Sequence, residues 1–205
     1  MSVERRVAAV IPVGSLERAK SRLGANLDAE ERRDLVLGLF DGTLAATAAT
    51  AGIWRTFVVS PDEEVLELAG SRGATVVRQV DRGLNRGLDE AREGARRAGA
   101  TALLVLPADL PRVSPAAISE VLAVLDDEAP PLVAIVPDRH GRGTNALLLA
   151  PPDVIGFAFG GDSRAAHRHA AGAAGARLVE LDSPLTLDLD TPDDLLIVQS
   201  TRAAT

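Results

Sequence analysis

The amino-acid sequence predicts an α/β fold, a mostly parallel mixed sheet with helices on both faces. Short apolar runs alternate along the chain with longer segments of helical periodicity, which is the order of parallel βαβ units. The apolar runs are continuous, as expected of strands that are buried on both faces. The length of 205 residues, with 46% hydrophobic and 25% charged residues, predicts a single folded domain over residues 1–205.

Each element is predicted from its own segment. Strands are assigned to the apolar runs, and helices to periodic segments that begin at capping residues or prolines. The expected strands are 7–13, 55–60, 75–79, 102–106, 132–136, 146–149 and 177–181. The expected helices are 28–50, 61 to 70 or 73, 84–98, 114–125, 164–173 and a last one that starts at 191–194.

Composition excludes several classes of function. The net charge of −7 argues against a non-specific nucleic-acid binder, whose affinity comes from a basic surface. Cysteine is absent, which excludes disulfides, thiol catalysis and thiolate metal sites. No apolar run approaches the roughly 18 residues of a membrane span, and the first one is too short for a secretory signal. We therefore expect a cytoplasmic protein with no nucleic-acid or membrane partner; whether it forms a homodimer stays open.

The loop after the first predicted strand carries Lys20, the only lysine of the chain. Residues 14–21 nearly match a phosphate-binding P-loop, but Ala19 replaces the second glycine and the next helix starts near Asp28, well after the lysine. We reject the P-loop interpretation. A looser hypothesis is that Lys20 and Arg22 hold a triphosphate. The alternative is two solvated cations on a surface loop.

Three aspartates form a second candidate group. Asp109 directly follows a buried strand, and Asp188 and Asp190 are two residues apart, so an extended backbone would send both carboxylates to one face. Clustered oxygen ligands suit Mg²⁺ or Mn²⁺ held together with substrate phosphates. For Asp190 the alternative is an N-cap, because Thr191 and Pro192 follow it.

Two glycine-containing segments, 141–145 and 159–163, could offer backbone N–H groups to an anion. The alternative for both is ordinary turn chemistry. His140, His167 and His169 show no metal-ligand spacing, and we assign them to the surface or to a helix.

Six motifs in order resemble the guanylyltransferases of coenzyme F-420 biosynthesis, which use phosphoenolpyruvate or 2-phospho-L-lactate as acceptor. The resemblance spans residues 7–195, and its motifs are VIPVGSLERAKSRL, GLNRGL, VLPADLP, RGTNALLL, FGGDSRAAH and LDLDTPDDL. It implies a Rossmann-like sheet of the nucleotide-diphosphosugar-transferase type. It also implies GTP as the nucleotide substrate and one or two Mg²⁺ ions, with Mn²⁺ as a substitute.

The resemblance implies roles for nine residues of this sequence. Lys20 and Arg22 match the loop that handles the GTP phosphates, and the metal-binding positions are Asp109, Asp188 and Asp190. The positions that hold the acceptor are Thr144, Gly160 and Ser163, and Asn85 matches a nucleotide-contacting segment. The family often carries a lysine directly after the first-strand valine, where this chain has Gly14.

The expected reaction is transfer of GMP from GTP to the phosphate of the acceptor, with release of pyrophosphate. Phosphoenolpyruvate is favoured over 2-phospholactate, because FGGDS resembles the bacterial members. The alternatives are a molybdenum-cofactor guanylyltransferase-like enzyme, a metal-dependent glycosyltransferase, or a non-catalytic nucleotide-binding domain.

Overall fold

The computed structural model describes residues 4–18, 20–24 and 26–202, without the side chains of residues 18, 22 and 199–202. Within these residues strands and helices alternate, except that the sixth strand follows the fifth with no helix between them. The strands are β1 Val7–Pro12, β2 Ile53–Ser60, β3 Thr75–Arg78, β4 Ala102–Val105, β5 Leu132–Pro137, β6 Thr144–Ala150 and β7 Arg177–Glu180. The helices are α1 Ala29–Ala49, α2 Glu63–Ser71, α3 Leu84–Arg97, α4 Pro115–Asp127, α5 Ser163–Ala173 and α6 Pro192–Arg202.

The strands form one sheet in the order β3-β2-β1-β4-β6-β5-β7. β3, β2, β1 and β4 are parallel, β6 is antiparallel to both β4 and β5, and β7 is parallel to β5. This confirms the predicted mostly parallel sheet with mixed character late in the chain. Ligands of such sheets bind at the carboxyl ends of the parallel strands, where the strand order reverses, which here is next to β1 and β4.

Helices cover both faces of the sheet. Apolar side chains of α1, α2 and α4 pack on one face, among them Phe40, Val65 and Ile118, and those of α3 and α5 pack on the other, among them Leu88 and Ala171. The strand residues between them are almost fully buried, which explains the continuous apolar runs in the sequence.

Local signals in the sequence account for where the helices begin. Asp28 caps α1 in a capping box with Glu31, and Ser114 caps α4, which has Pro115 in its first turn. The segment between β1 and α1 contains two short 3₁₀ turns, Leu16–Arg18 and Ser21–Leu23. A P-loop would instead start its helix at the lysine, so the rejection of that motif is confirmed.

One segment near the site differs from the sequence-based expectation. β6 starts at Thr144, two residues before the predicted strand, so Thr144 and Asn145 belong to the sheet and not to a loop.

None of the described helices is long and apolar enough to cross a membrane.

Candidate active site

A cleft of about 460 Å³ opens at the carboxyl ends of β1 and β4; we call it the central cleft. Its lining includes residues of the loop after β1, the start of α3, the loop after β4 and two later loops. Among these lining residues are Gly14, Lys20, Leu84, Asp109, Phe159 and Asp190.

Lys20 lies between two of the predicted metal ligands. Its Nζ atom is 2.6 Å from Oδ2 of Asp109 and 2.6 Å from Oδ1 of Asp190, and its side chain is only 9% exposed. Burial alone would lower the pKa of the Lys20 ammonium, but the charges of the two carboxylates outweigh it and raise that pKa. Lys20 is therefore a fully charged, nearly buried cation at the centre of the cleft.

The backbone of Lys20 contributes to this placement. Its φ of 51° lies in the left-handed region, and it is the one non-glycine residue with positive φ among the residues described. Such a conformation costs free energy in a residue with a side chain, and it is found where surrounding contacts hold it. The two ion pairs are contacts of this kind.

Backbone hydrogen bonds bring the segment 185–190 against the loop after β4. The N–H of Leu189 donates to the carbonyl oxygen of Asp109 at 3.0 Å. Leu187 and Leu189 are buried, at 5% and 1% exposure, so Asp188 and Asp190 lie on the opposite side of this segment. The segment is not a strand, yet the predicted shared face of the two aspartates is confirmed.

Asp188 is electrostatically coupled to the other two aspartates. Its pKa is raised, first by burial and then by the negative charges of Asp109 and Asp190. Asn145, which sequence analysis did not select as a site residue, supports the same segment. Its Nδ2 atom donates to the carbonyl oxygens of Leu185 at 3.1 Å and Thr186 at 3.0 Å.

The start of α6 is capped by Thr191, which settles the alternative proposed for Asp190. Oδ2 of Asp194 accepts from the N–H of Thr191 at 2.7 Å, and Oγ1 of Thr191 accepts from the N–H of Asp194 at 3.4 Å. The carboxylate of Asp190 is thus free of the helix and pairs with Lys20. Asp194 also accepts from the N–H of Asp190 at 3.1 Å, which fixes the Asp190 backbone.

Asp194 is a buried anion with several partners. Its carboxylate is 2.7 Å from Nη2 of Arg139, and its side chain is 3% exposed. Burial would raise the pKa of Asp194, but hydrogen bonds from the Thr191 side chain and the backbone of Thr191 and Asp190, together with Arg139, lower it below its ordinary value. The loop before β6 is thereby linked to the Asp190 backbone.

The carboxylates of the cleft are of the type that binds magnesium, and a magnesium site there stays a prediction. Within the described residues no three acidic or histidine side chains are already gathered as metal ligands. Two carboxylate oxygens, of Asp109 and Asp190, nevertheless lie within 2.6 Å of one point, which the Lys20 ammonium occupies. Mg²⁺ is commonly bound by one or two carboxylates, with phosphate and water oxygens completing its coordination.

The predicted acceptor residues Thr144, Gly160 and Ser163 lie at the start of β6, in the loop before α5 and at the first position of α5. Oγ1 of Thr144 is 3.1 Å from Nδ1 of His167, and Ser163 is the first residue of α5 and 3% exposed. Gly160 has a φ of 153°, a conformation that favours glycine, and its carbonyl oxygen accepts from the Ser163 N–H. Their contacts with an acceptor stay predictions.

Asn85 holds backbone rather than facing the cleft freely. Its Oδ1 atom accepts from the N–H of Phe159 at 2.9 Å, and its Nδ2 atom donates to the carbonyl oxygen of Phe159 at 3.1 Å. The nucleotide contact of Asn85 stays a prediction, and in the structure its side chain positions the backbone of Phe159.

The backbone of Arg22 lies in the second 3₁₀ turn, and its side chain is outside the described part of the chain.

A second cleft, of about 450 Å³, adjoins the first at the carboxyl ends of β2 and β3; we call it the edge cleft. The two clefts share Gly14 and Leu84 in their linings and so form one continuous groove. Polar side chains of the edge cleft are Asp62, Gln79, Asp81 and Arg82. Glu90 accepts from the N–H groups of Val80 and Asp81, which fixes the loop that carries them.

Comparison with protein families decides what kind of protein carries this groove. The model of the family described as "Guanylyl transferase CofC like" matches residues 7–200. The chain belongs to this family of guanylyl transferases. The family resemblance inferred from the six motifs is confirmed, and with it the assignment of this chain as a nucleotidyltransferase.

Relatives of this guanylyl transferase are similar over most of their length. A protein of Sphaerobacter thermophilus named phosphoenolpyruvate guanylyltransferase is 46% identical over 91% of this chain and 89% of that protein. A protein of the same name from Rubrobacter xylanophilus is 45% identical over 92% of this chain and 91% of that protein.

Solved structures confirm the fold of this guanylyl transferase. A protein of Desulfovibrio desulfuricans G20 assigned to the nucleotide-diphospho-sugar transferases aligns with a TM-score of 0.76 at 17% identity, covering 97% of this chain and 88% of that one. A nucleotidyl transferase of Methanothermobacter aligns with a TM-score of 0.68 at 19% identity, covering 98% and 99%. At these identities the similarity concerns the fold alone, and it confirms the predicted nucleotide-diphosphosugar-transferase type of sheet.

Proposed function

We propose that this guanylyl transferase joins the GMP moiety of GTP to the phosphate of phosphoenolpyruvate and releases pyrophosphate, as a step of coenzyme F-420 biosynthesis. The observation that carries the proposal is the Lys20 ammonium between Asp109 and Asp190, in a cleft of about 460 Å³ that adjoins a second one of about 450 Å³. The names of the relatives at 46% and 45% identity support phosphoenolpyruvate as the acceptor.

The groove supports a division between the two substrates. The edge cleft has carboxylate acceptors in Asp62 and Asp81 and a guanidinium donor in Arg82, which complement the N–H donors and the O6 and N7 acceptors of guanine. With the base there, the triphosphate would extend toward Lys20 and the aspartates. The acceptor would then enter the central cleft from the side of Phe159.

The residues of the cleft can supply charge and position, which is what phosphoryl chemistry of this kind needs. An oxygen of the acceptor phosphate forms a bond to the α-phosphorus of GTP, while the bond from that phosphorus to the bridging oxygen breaks and pyrophosphate leaves. The attacking phosphate oxygen carries no proton at neutral pH, so the step needs no general base. Lys20 places a fixed positive charge where negative charge accumulates.

A magnesium ion held by Asp109 and Asp190, with Asp188 beside them, would supply further neutralisation of the triphosphate and of the leaving pyrophosphate. The protein's own part is to hold these carboxylates in place. The Asp109 carbonyl, Asn145 and the Thr191–Asp194 cap do so from three sides. The ion remains part of the proposal.

A pyrophosphate-release assay tests the function. The purified chain is incubated with Mg²⁺, GTP and either phosphoenolpyruvate or 2-phospho-L-lactate, and compared with reactions lacking acceptor or magnesium. We expect release that requires Mg²⁺ and is faster with phosphoenolpyruvate. Replacing GTP by ATP or CTP should abolish most of it. Release that never exceeds the no-acceptor control would overturn the proposal, and faster release with 2-phospho-L-lactate would reassign the acceptor.

A further inference from the structure

His167 is a histidine that neither the predicted site nor the reaction uses, yet it is fully buried beside the central cleft. It lies on the inner face of α5, four residues after Ser163 and four before Ala171, which are also buried. Its ring has three contacts: the Thr144 hydroxyl at 3.1 Å, the N–H of Ala158 at 3.1 Å, and an edge-to-face contact with the Phe159 ring at 4.9 Å between centroids.

These contacts fix the protonation of the ring. The Ala158 N–H can only donate, so Nε2 of His167 must be the unprotonated nitrogen that accepts from it. In the neutral ring the proton is then on Nδ1, which donates to Oγ1 of Thr144. Burial also lowers the pKa of His167 to about 4, which keeps the ring neutral at physiological pH.

The backbone that His167 holds is held a second time from the other side of the groove. Asn85, at the start of α3, makes two hydrogen bonds to the Phe159 backbone, at 2.9 and 3.1 Å. Ala158 is thus bound by α5 and Phe159 by α3. The ring of Phe159 lines the central cleft together with Lys20, Asp109 and Asp190.

We propose that His167 is a positioning residue for the acceptor: as a neutral ring protonated on Nδ1, it fixes the backbone of Ala158 and Phe159 so that Phe159 forms the acceptor's wall of the central cleft. Phe159 is in the lining given for the central cleft and not in that of the edge cleft. Loss of the Ala158 hydrogen bond should therefore weaken use of the acceptor and leave use of GTP unchanged. The expected change in the use of the acceptor rests on the proposed function, whereas the expected protonation state of His167 does not.

Three variants separate the two hydrogen bonds. In His167→Gln the amide oxygen can lie near the position of Nε2 and accept from the N–H of Ala158. In His167→Asn the shorter side chain reaches only the position of Nδ1, where it can hydrogen-bond the Thr144 hydroxyl. Phe keeps the volume and the ring contact but makes neither bond. We expect His167→Phe and His167→Asn to raise the KM for phosphoenolpyruvate about tenfold, and His167→Gln to stay within about threefold, because an unpaired buried N–H is costly. The KM for GTP should change less than about twofold in all three.

Several kinetic results would overturn the proposal. They are an unchanged acceptor KM in His167→Phe, a parallel rise of both KM values, or a Gln variant no better than Phe. Melting curves of each variant show whether it folds, and a lower melting temperature with unaltered kinetics would mean a purely structural histidine.

A second measurement compares the wild type with His167→Phe and needs no turnover. In ¹⁵N-histidine NMR at pH 7, the signals that disappear in His167→Phe should be those of a neutral ring with the proton on Nδ1. A charged ring, or a proton on Nε2, would overturn the proposal. If the wild-type chain releases no pyrophosphate with any acceptor, the proposed function fails, and the NMR result still decides the state of His167.

Discussion

The ammonium nitrogen of Lys20 lies 2.6 Å from Oδ1 of Asp190, a residue 170 positions further along the chain. This ion pair joins the loop after β1 to the segment before α6, and both are held at the carboxyl edge of the sheet. It is a direct contact between a predicted phosphate-binding cation and a predicted metal ligand.

Replacement of Lys20 by arginine should impair catalysis while preserving the charge. The ammonium is a compact charge that contacts two carboxylates at once, whereas the guanidinium is a wider planar group. We expect kcat/KM to fall about tenfold or more, since small misplacements at a reacting centre are costly. Steady-state pyrophosphate release, compared with the melting temperature, measures this; wild-type kinetics would mean that any cation suffices here.

Replacement of Asp190 by asparagine should reduce activity far more than stability. The carboxylate makes no cap of α6, so its charge is available for Lys20 and for a metal ion. We expect a rate loss of roughly 100-fold or more, the scale of lost transition-state charge stabilisation. The matched control is Thr191→Val, which removes the hydroxyl of the cap and should destabilise the fold by about 1 kcal/mol. The opposite pattern, an active but early-melting Asp190→Asn, contradicts the assignment.

Asn85 and His167 should be energetically coupled, because both fix the same stretch of backbone. The Asn85→Ala and His167→Phe variants and their double variant form a cycle in the kcat/KM for phosphoenolpyruvate. We expect the double variant to lose less than the sum of the single losses, by about 0.5–1.4 kcal/mol, since the tenfold effect expected of His167→Phe sets the upper bound. Additive losses would show that the two side chains act separately.

Protonation of His167 should cost stability in acid. Its pKa falls from 6.5 to about 4 on folding, so the unfolded chain binds the proton first as the pH falls. The stabilisation from keeping this ring neutral is complete above about pH 6.5. As the pH falls toward 4 it is lost progressively, and the free energy of unfolding falls on the order of 3 kcal/mol in total. Urea unfolding from pH 7 to pH 4 should show a steeper loss in the wild type than in His167→Phe; equal slopes would contradict a buried, neutral histidine.

Sequence patterns were sufficient to predict the sheet and to select Lys20, Asp109 and Asp190 as candidates. The structure brings these three together, because loops that follow buried parallel strands place side chains at one edge of the sheet. Sequence patterns did not identify Asn145, Asp194 or His167 as supporting residues. Asn145 and His167 make contacts with residues that only packing brings near, such as Leu185 for Asn145 and Thr144 for His167. Asp194 contacts Thr191, three residues earlier, so the Thr-x-x-Asp spacing was a usable sign of this cap. The four-residue spacing of Ser163, His167 and Ala171 was a usable sign that His167 faces inward.

The reversed direction of β6 has a consequence for engineering the enzyme. Because β6 runs antiparallel to β4, its first residues, Thr144 and Asn145, reach the edge at which the parallel strands end. Thr144 is paired with Pro137 of β5, and Asn145 lies at the register shift next to it, where its side chain is held by the carbonyl oxygens of Leu185 and Thr186. Shortening, extending or exchanging the tip of the preceding turn at 138–143 beyond Arg139 should leave both side chains in register. This turn is therefore a suitable graft point for altering which acceptors the groove admits.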